Sequence, residues 1–450
     1  MTTLSRLRLL LLTLGPAPLA AQATGGPDPL GAIVAEALEN NLGLAQEDLM
    51  VERAEAGVRE ARGRFLPALT LDSRYSEQTG TLNLGEFVNP AYSALNQITG
   101  TNRFPTDLDI TLPLAHESRL RLAQPLFDAS ILAGHALARH TRDGQYLARG
   151  AAARRLAAEA QATFLDVGAA RSTRRTWQAT LALVMESERV AQRLVDAGEA
   201  TPDHVLRARA DRSEVEQQHA EARQTEEAAA RALNRILKRP LDAAVDELPD
   251  SLLRFEIALT EEQAVASALA RREELGQIEA GIHAANAGVR LATASFLPDV
   301  ALALDYGFQG RDLSFGGDDD YAVLSIVLSW SLFNGGRDQA RRSAARAEAD
   351  RLRLRRAELE DLVRLEVRQA YDAAVVARDA IATAGARLAA ARRSFELVRR
   401  RYEEGLASQV EFLDARTAFT SADPNRVATV YRYAIRYVEL ERAAALRDLT

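Results

Sequence analysis

The side chains that could do chemistry in this chain are scattered. The six histidines, His116, His135, His140, His204, His219 and His283, show no His-Glu-x-x-His or comparable ligand spacing. Cysteine is absent, which excludes disulfides, thiolate metal sites, a cysteine nucleophile and a lipid-bearing N-terminal cysteine. Gly316-Gly317 stands in a turn between strands and not in a phosphate-binding loop. Asp318-Asp319-Asp320 lines up three carboxylates that could ligate calcium, but a polar turn also carries such a run as solvated charge. Two further acids, Glu411 and Asp414, are three apart at the start of a helical stretch. Ser408 with Glu411 makes a capping box, and an acid at 414 suits the positive helix end. Most other acids fall on helix faces as ordinary solvated charge. The sequence therefore predicts no enzyme, no metal site and no cofactor.

The elements that carry these residues come twice. Phe65-Leu66-Pro67 recurs as Phe296-Leu297-Pro298, preceded by AEAGVR at 54–59 and ANAGVR at 285–290. Leu126-Phe127-Asp128 answers Leu332-Phe333-Asn334, and the surroundings of Gly198 answer Gly405. The period is far too long for a solenoid. The chain reads as a duplicated half-molecule, each half running helix, strand, strand, long helix, shorter helix. The first repeat covers 24–237, a linker 238–260 and the second repeat 261–450. Long helices are expected over about 129–197, 203–237, 337–404 and 409–446. Each longer one would reach about 100 Å at 1.5 Å per residue.

Such rods need partner helices. Ala374, Ala377, Ile381, Ala384, Leu388, Ala391, Phe395, Val398 and Tyr402 alternate in steps of three and four, a heptad seam. The first half keeps the phase, with Arg174 and Glu188 as charged interruptions. Gly198 and Gly405 end the two rods and let the chain reverse. Thr201-Pro202 then restarts one helix as N-cap and first residue, and Ser408 restarts the other. Pro424 interrupts the last helix and is expected to bend it.

Pro67 and Pro298 each end a helix and begin a period-2 run. Strands are expected over about 67–76, 117–126, 298–309 and 321–333, close to the ~10 residues of a tilted membrane-spanning strand. Leu69, Leu71, Ser73 and Tyr75 share one face, as do Val300, Leu302, Leu304, Tyr306 and Phe308. The connections, 77–116 and 310–320, read as polar loops. Four strands cannot close a barrel in lipid, where open edges are not tolerated, so membrane insertion would require oligomerisation.

With these marks in place, the chain resembles the TolC-like outer membrane efflux protein family over essentially all of the mature sequence. The resemblance rests on the paired Ala-x-x-x-Phe-Leu-Pro at Ala61 and Ala292, the Leu-Phe-Asp/Asn leads into the long helices, and the Gly-x-Ala-Ser/Thr-x-x-Asp/Glu turns at Gly198 and Gly405. It implies a homotrimer whose twelve-stranded outer-membrane β-barrel continues into a long α-helical coiled-coil periplasmic tunnel. It implies docking to a periplasmic adaptor (membrane fusion protein) and an inner-membrane pump or secretion transporter. The function implied is a passive exit duct of a tripartite efflux or type I secretion system. By position in the family pattern, Tyr402, Glu411, Asp414 and Asp203 are candidates for the periplasmic gate. Gly198, Thr201, Gly405 and Ser408 fall at the hairpin tips, where the adaptor would dock. Ala407 stands where some relatives carry arginine, so the pattern lacks that arginine's salt bridge across the gate. His204 beside Asp203 blurs the first-repeat match.

Residues 1–23 read as a signal peptide, with Arg6 and Arg8 ahead of an apolar core and Ala21-Gln22-Ala23 as cleavage site. The apolar run is too short to cross a bilayer. Together with the resemblance, this implies a mature chain in the outer membrane, projecting into the periplasm and not lipidated. A net charge of −7 argues against nucleic acid as a partner. The alternative is a soluble periplasmic coiled-coil adaptor or scaffold, which would carry an inner-membrane anchor or a lipidated cysteine and more non-barrel β-structure around a single helical hairpin. The cargo, whether drug, metal ion, protein or siderophore, is not written in the sequence.

Overall fold

A computed structural model describes residues 28–77, 82–112, 115–249, 253, 255–310, 313, 315–316 and 319–448. The signal at 1–23 and Asp318 lie outside the described residues. Two short helices, α1 (Pro29–Asn40) and α2 (Leu42–Gly63), lead to strand β1 (Ala68–Tyr75). Asn41 both ends α1 and caps α2, its Oδ1 accepting from Gly43 and Leu44. The outer connection then holds β2 (Leu82–Asn83), α3 (Gly85–Thr99) and β3 (Thr111–Leu112).

Next come β4 (His116–Phe127), the rod α4 (Ala129–Asp196) and α5 (Pro202–Ile236). The second half gives α6 (Glu261–Arg271), α7 (Glu273–Ala294), β5 (Asp299–Gly310), β6 (Asp320–Ser329), the rod α8 (Arg337–Glu403) and α9 (Gln409–Ala443). The last strand was expected to reach Phe333. It stops at Ser329, and Gly335 and Gly336, both at positive φ, swing the chain into α8.

The four long strands form one antiparallel sheet in the order β1-β4-β5-β6. Leu71 pairs with Leu120, Leu122 with Leu304, and Leu304 with Leu324, so one face is apolar across all four strands. The helices continue the same order. α2 packs on α4, α4 on α7, and α7 on α8. Edge strand β1 therefore sits over edge helix α2, and edge strand β6 over edge helix α8.

Below this layer the rods form two hairpins, α4 with α5 and α8 with α9. Buried Ala374, Ala377, Ala384, Leu388 and Phe395 line the second seam. In the first, the charged interruptions find partners on α5: Arg174 bonds Glu226 at 2.5 Å, and Glu188 meets Arg209 and Arg212, each at 3.2 Å. Around the waist, Phe164, Leu165, Leu233 and Leu237 are fully buried with α1 against them. There α4 and α9 come close, and a Cβ at Gly168 would stand 2.8 Å from the Tyr431 ring.

The segment after α5 straps this waist. Arg171 bonds the carbonyls of Val245 and Asp246, and Tyr433 bonds that of Phe255. α9 keeps Pro424 inside one continuous helix, Gln409–Ala443. Hydroxyls of Thr420 and Ser421 bond carbonyls one turn earlier, beside the backbone that the proline leaves unserved.

Candidate functional site

Two surfaces carry the chemistry: the sheet and the hairpin tips. Each Phe-Leu-Pro forms the same turn, with Phe65 and Leu66 bonding Arg62 and Gly63 carbonyls as Phe296 and Leu297 bond those of Thr293 and Ala294. Pro67 and Pro298 thereby set the phase of their strands. On one face Leu71, Leu324 and Ile326 are exposed by 72, 69 and 72%. The other face is an ion-paired ladder. Arg74 meets Glu117 at 3.3 Å, Arg119 meets Asp72 at 3.7 Å, and Arg121 forks onto Asp305 at 2.7 and 2.8 Å. A sheet with one broad exposed apolar face and one charged face suits lipid on one side and water on the other.

At the far end of the rods the turns are built as the sequence predicts. Gly198 and Gly405 hold φ of 76° and 73°. Their amides bond Val195 and Tyr402, and the following amides bond Leu194 and Arg401, which closes each helix in a Schellman motif. Ser408 and Glu411 form the reciprocal capping box, at 2.7 Å and 3.2 Å. Thr201 differs: its hydroxyl turns to Asp203 and makes no cap bond to the backbone. The two tips stand side by side, Gln409 Nε2 donating to the His204 carbonyl at 3.5 Å.

The four gate candidates are not equivalent. Asp414 is exposed and makes no hydrogen bond or ion pair among the described residues. Glu411 is exposed on the same face, three residues earlier, but spends Oε2 on Ser408. The Ser408 amide and hydroxyl hold its carboxyl below the usual range. Asp203 is likewise lowered, first by the Thr201 hydroxyl, and it pairs with Arg207 at 3.5 Å. Tyr402 lies inside the hairpin, its ring stacked on Phe412 at 4.9 Å, and burial pushes its hydroxyl pKa up.

Sequence reasoning missed a buried ion pair that joins the hairpins. Arg416, 5% exposed on α9, reaches Asp211 of α5. Its only sequence signal is an arginine on the otherwise apolar face that includes Phe412, Ala415 and Phe419. Beside it lies a cavity of about 160 Å³, lined by Ser187, Val190, Ala208, Tyr402, Phe412 and Arg416. Among the described residues no cluster of His, Asp or Glu could hold a metal ion. No helix there is long and apolar enough to cross a membrane.

Comparison with known proteins extends this geometry. The family described as outer membrane efflux protein matches residues 33–238 and 264–446. Protein CyaE of Bordetella pertussis is 36% identical over 169 residues, 37% of this chain and 35% of CyaE, so the match spans only about a third of that relative. The alkaline protease secretion protein AprF of Pseudomonas aeruginosa is 25% identical over 437 residues, 92% of this chain and 83% of AprF. The crystal structure of the CmeC outer membrane channel of Campylobacter jejuni aligns with a TM-score of 0.75 at 19% identity, over 93% of this chain and 85% of CmeC. At that identity the likeness establishes the fold alone.

Proposed function

The chain belongs to the outer membrane efflux protein family, and from that premise we propose that three copies form a passive exit duct across outer membrane and periplasm. The observation that carries this reading is the coincidence of open edges. Among the described residues the sheet leaves the outer edges of β1 and β6 unpaired, and the helical layer leaves the outer sides of α2 and α8 open at the same two ends. An open edge in lipid costs several kcal/mol for each unpaired backbone group. A neighbouring β6 that completes β1 must bring its α8 onto α2. One repeated contact thus closes barrel and tunnel together. Three copies, the number the resemblance implies, give twelve strands.

In such a ring the leucine face meets lipid and the Arg–Asp ladder lines the lumen. The twelve-stranded pore would pass solutes without local catalysis, and an adaptor and inner-membrane transporter would supply the energy. The adaptor would dock at the tips around Gly198, Thr201, Gly405 and Ser408. Asp414, exposed and without a partner among the described residues, is the strongest gate candidate, with Glu411 beside it. The 1–23 signal would direct export, and the mature N-terminus would carry no lipid.

A periplasmic scaffold of helical hairpins would give no reason for the broad exposed apolar sheet. Purified protein added to a planar lipid bilayer should produce discrete, long-lived conductance steps. A protein that leaves the bilayer silent, and that partitions into buffer without detergent, would contradict the duct.

A further inference from the structure

We propose that α8 of one copy packs on α2 of the next in the register of the chain's own α4–α7 seam, placing Leu49 beside Arg351. This rests on the closed ring proposed above. The duplication supplies the template. Asp48 pairs with Arg149 at 2.7 Å in the first repeat, and Glu279 forms an ion pair with Arg356 at 3.1 Å in the second. The same two shifts of numbering also carry Glu55 and Tyr146, which bond each other, onto Asn286 and Arg353, which bond at 3.1 Å. Two independent pairs therefore fix the equivalence of α2 with α7 and of α4 with α8, residue by residue.

Within one chain, α7 of the second repeat lies on α4 of the first. Around a ring, the equivalent contact is α2 of the next copy on α8. The shifts carry Ala280 onto Leu49 and Gly144 onto Arg351. A Cβ at Gly144 would lie 3.5 Å from the Ala280 Cβ. They also carry Gly276 onto Ala45 and Leu147 onto Leu354. A Cβ at Gly276 would lie 3.1 Å from Leu147 Cδ1. Leu354 of one copy should therefore reach over Ala45 of the next, and the apolar stem of Arg351 should lie along Leu49.

The edges look like the two halves of such a seam. Ala280 is 7% exposed in the internal seam, whereas Leu49 and Leu354 are 63 and 75% exposed in the single chain. Charge is complementary as well. Residues 337–356 of α8 hold eight arginines against three acids, and α2 holds five acids against three arginines. Glu52, exposed and without a hydrogen bond or ion pair among the described residues, falls one helical turn from Leu49 on the side toward the sheet.

The absence of cysteine makes a clean test possible. Leu49→Cys with Arg351→Cys should form a disulfide on mild oxidation and give a non-reducing ladder that ends at a covalent trimer. A bond within one chain is out of reach, because α4 and α7 stand between the two helices at roughly 9 Å per step. Gly144→Cys with Ala280→Cys should crosslink internally without a change in mass, which verifies folding and oxidation. Leu49→Cys with Glu358→Cys, displaced by about 10 Å along α8, should stay uncrosslinked. A trimer by native mass with no 49–351 ladder, or with a 49–358 ladder instead, would overturn the register alone. A monomeric protein would overturn the ring on which it rests.

Discussion

Arg416 of α9 donates from Nη2 to Oδ2 of Asp211 on α5 at 2.5 Å, and this pair ties the two helical hairpins together near their turns. The guanidinium is almost wholly buried, and its Nη1 finds no partner among the described residues. Asp211→Ala would leave that charge buried and unpaired. It should lower stability by about 2 kcal/mol, seen as an earlier midpoint on denaturation. Arg416→Met in the same background removes the stranded charge and should recover most of the loss. An Asp211→Ala protein as stable as the parent would show that the pair contributes nothing.

The gate assignment separates Asp414 from Glu411. Because Asp414 makes no hydrogen bond or ion pair among the described residues, Asp414→Ala should raise conductance or weaken block by multivalent cations several-fold while leaving the thermal midpoint nearly unchanged. Glu411→Ala should do less to conductance and should also loosen the tip, since it breaks the capping box at a cost of about 1 kcal/mol. Unaltered conductance and block in the double variant would remove both acids from the gate and leave the duct intact.

On the sheet, facing decides tolerance. Leu302 pairs with Ile326 on the apolar face, and its neighbour Ala303 lies on the ladder side. Leu302→Asp should impair outer-membrane assembly, because a carboxylate in the hydrocarbon layer is penalised. Ala303→Asp should assemble normally. Equal assembly of the two variants would mean that the faces are assigned wrongly.

His140 of α4 stacks on His283 of α7 at 5.3 Å. Burial, and then His283, hold its pKa below the usual histidine value, against the opposing pull of Asp143; Arg139 and Arg290 push it down further. The folded state thus takes up this proton less readily than the unfolded chain. Stability is unaffected above the unfolded pKa of about 6.5 and falls as the pH drops below it. His140→Gln should flatten that fall between about pH 6.5 and 5. A denaturation profile with the same slope in parent and variant would exclude His140 as its source.

Much of the fold was legible because it is periodic. The Phe-Leu-Pro turns, the step-of-three-and-four seam and the alternation around Leu302 are local patterns that tertiary contacts only had to obey. The helix α3 was hidden in a loop rich in Asn, Gly and Pro. It is held from outside, Asn89 and Asn96 each exchanging two hydrogen bonds with the backbone of Leu108 and Phe104. Arg416 and Asp211 were illegible for a related reason. Their meeting depends on how one repeat leans on the other, which neither segment's own pattern records. Tyr402 satisfied both a seam position and the family's gate position, and its stacking on Phe412 favours the seam.

The most direct test of the account is the native mass of the protein extracted from outer membranes in mild detergent. A closed twelve-stranded barrel requires a stable trimer that needs detergent to remain in solution. A monomer recovered in buffer alone would contradict the closed barrel and, with it, the duct.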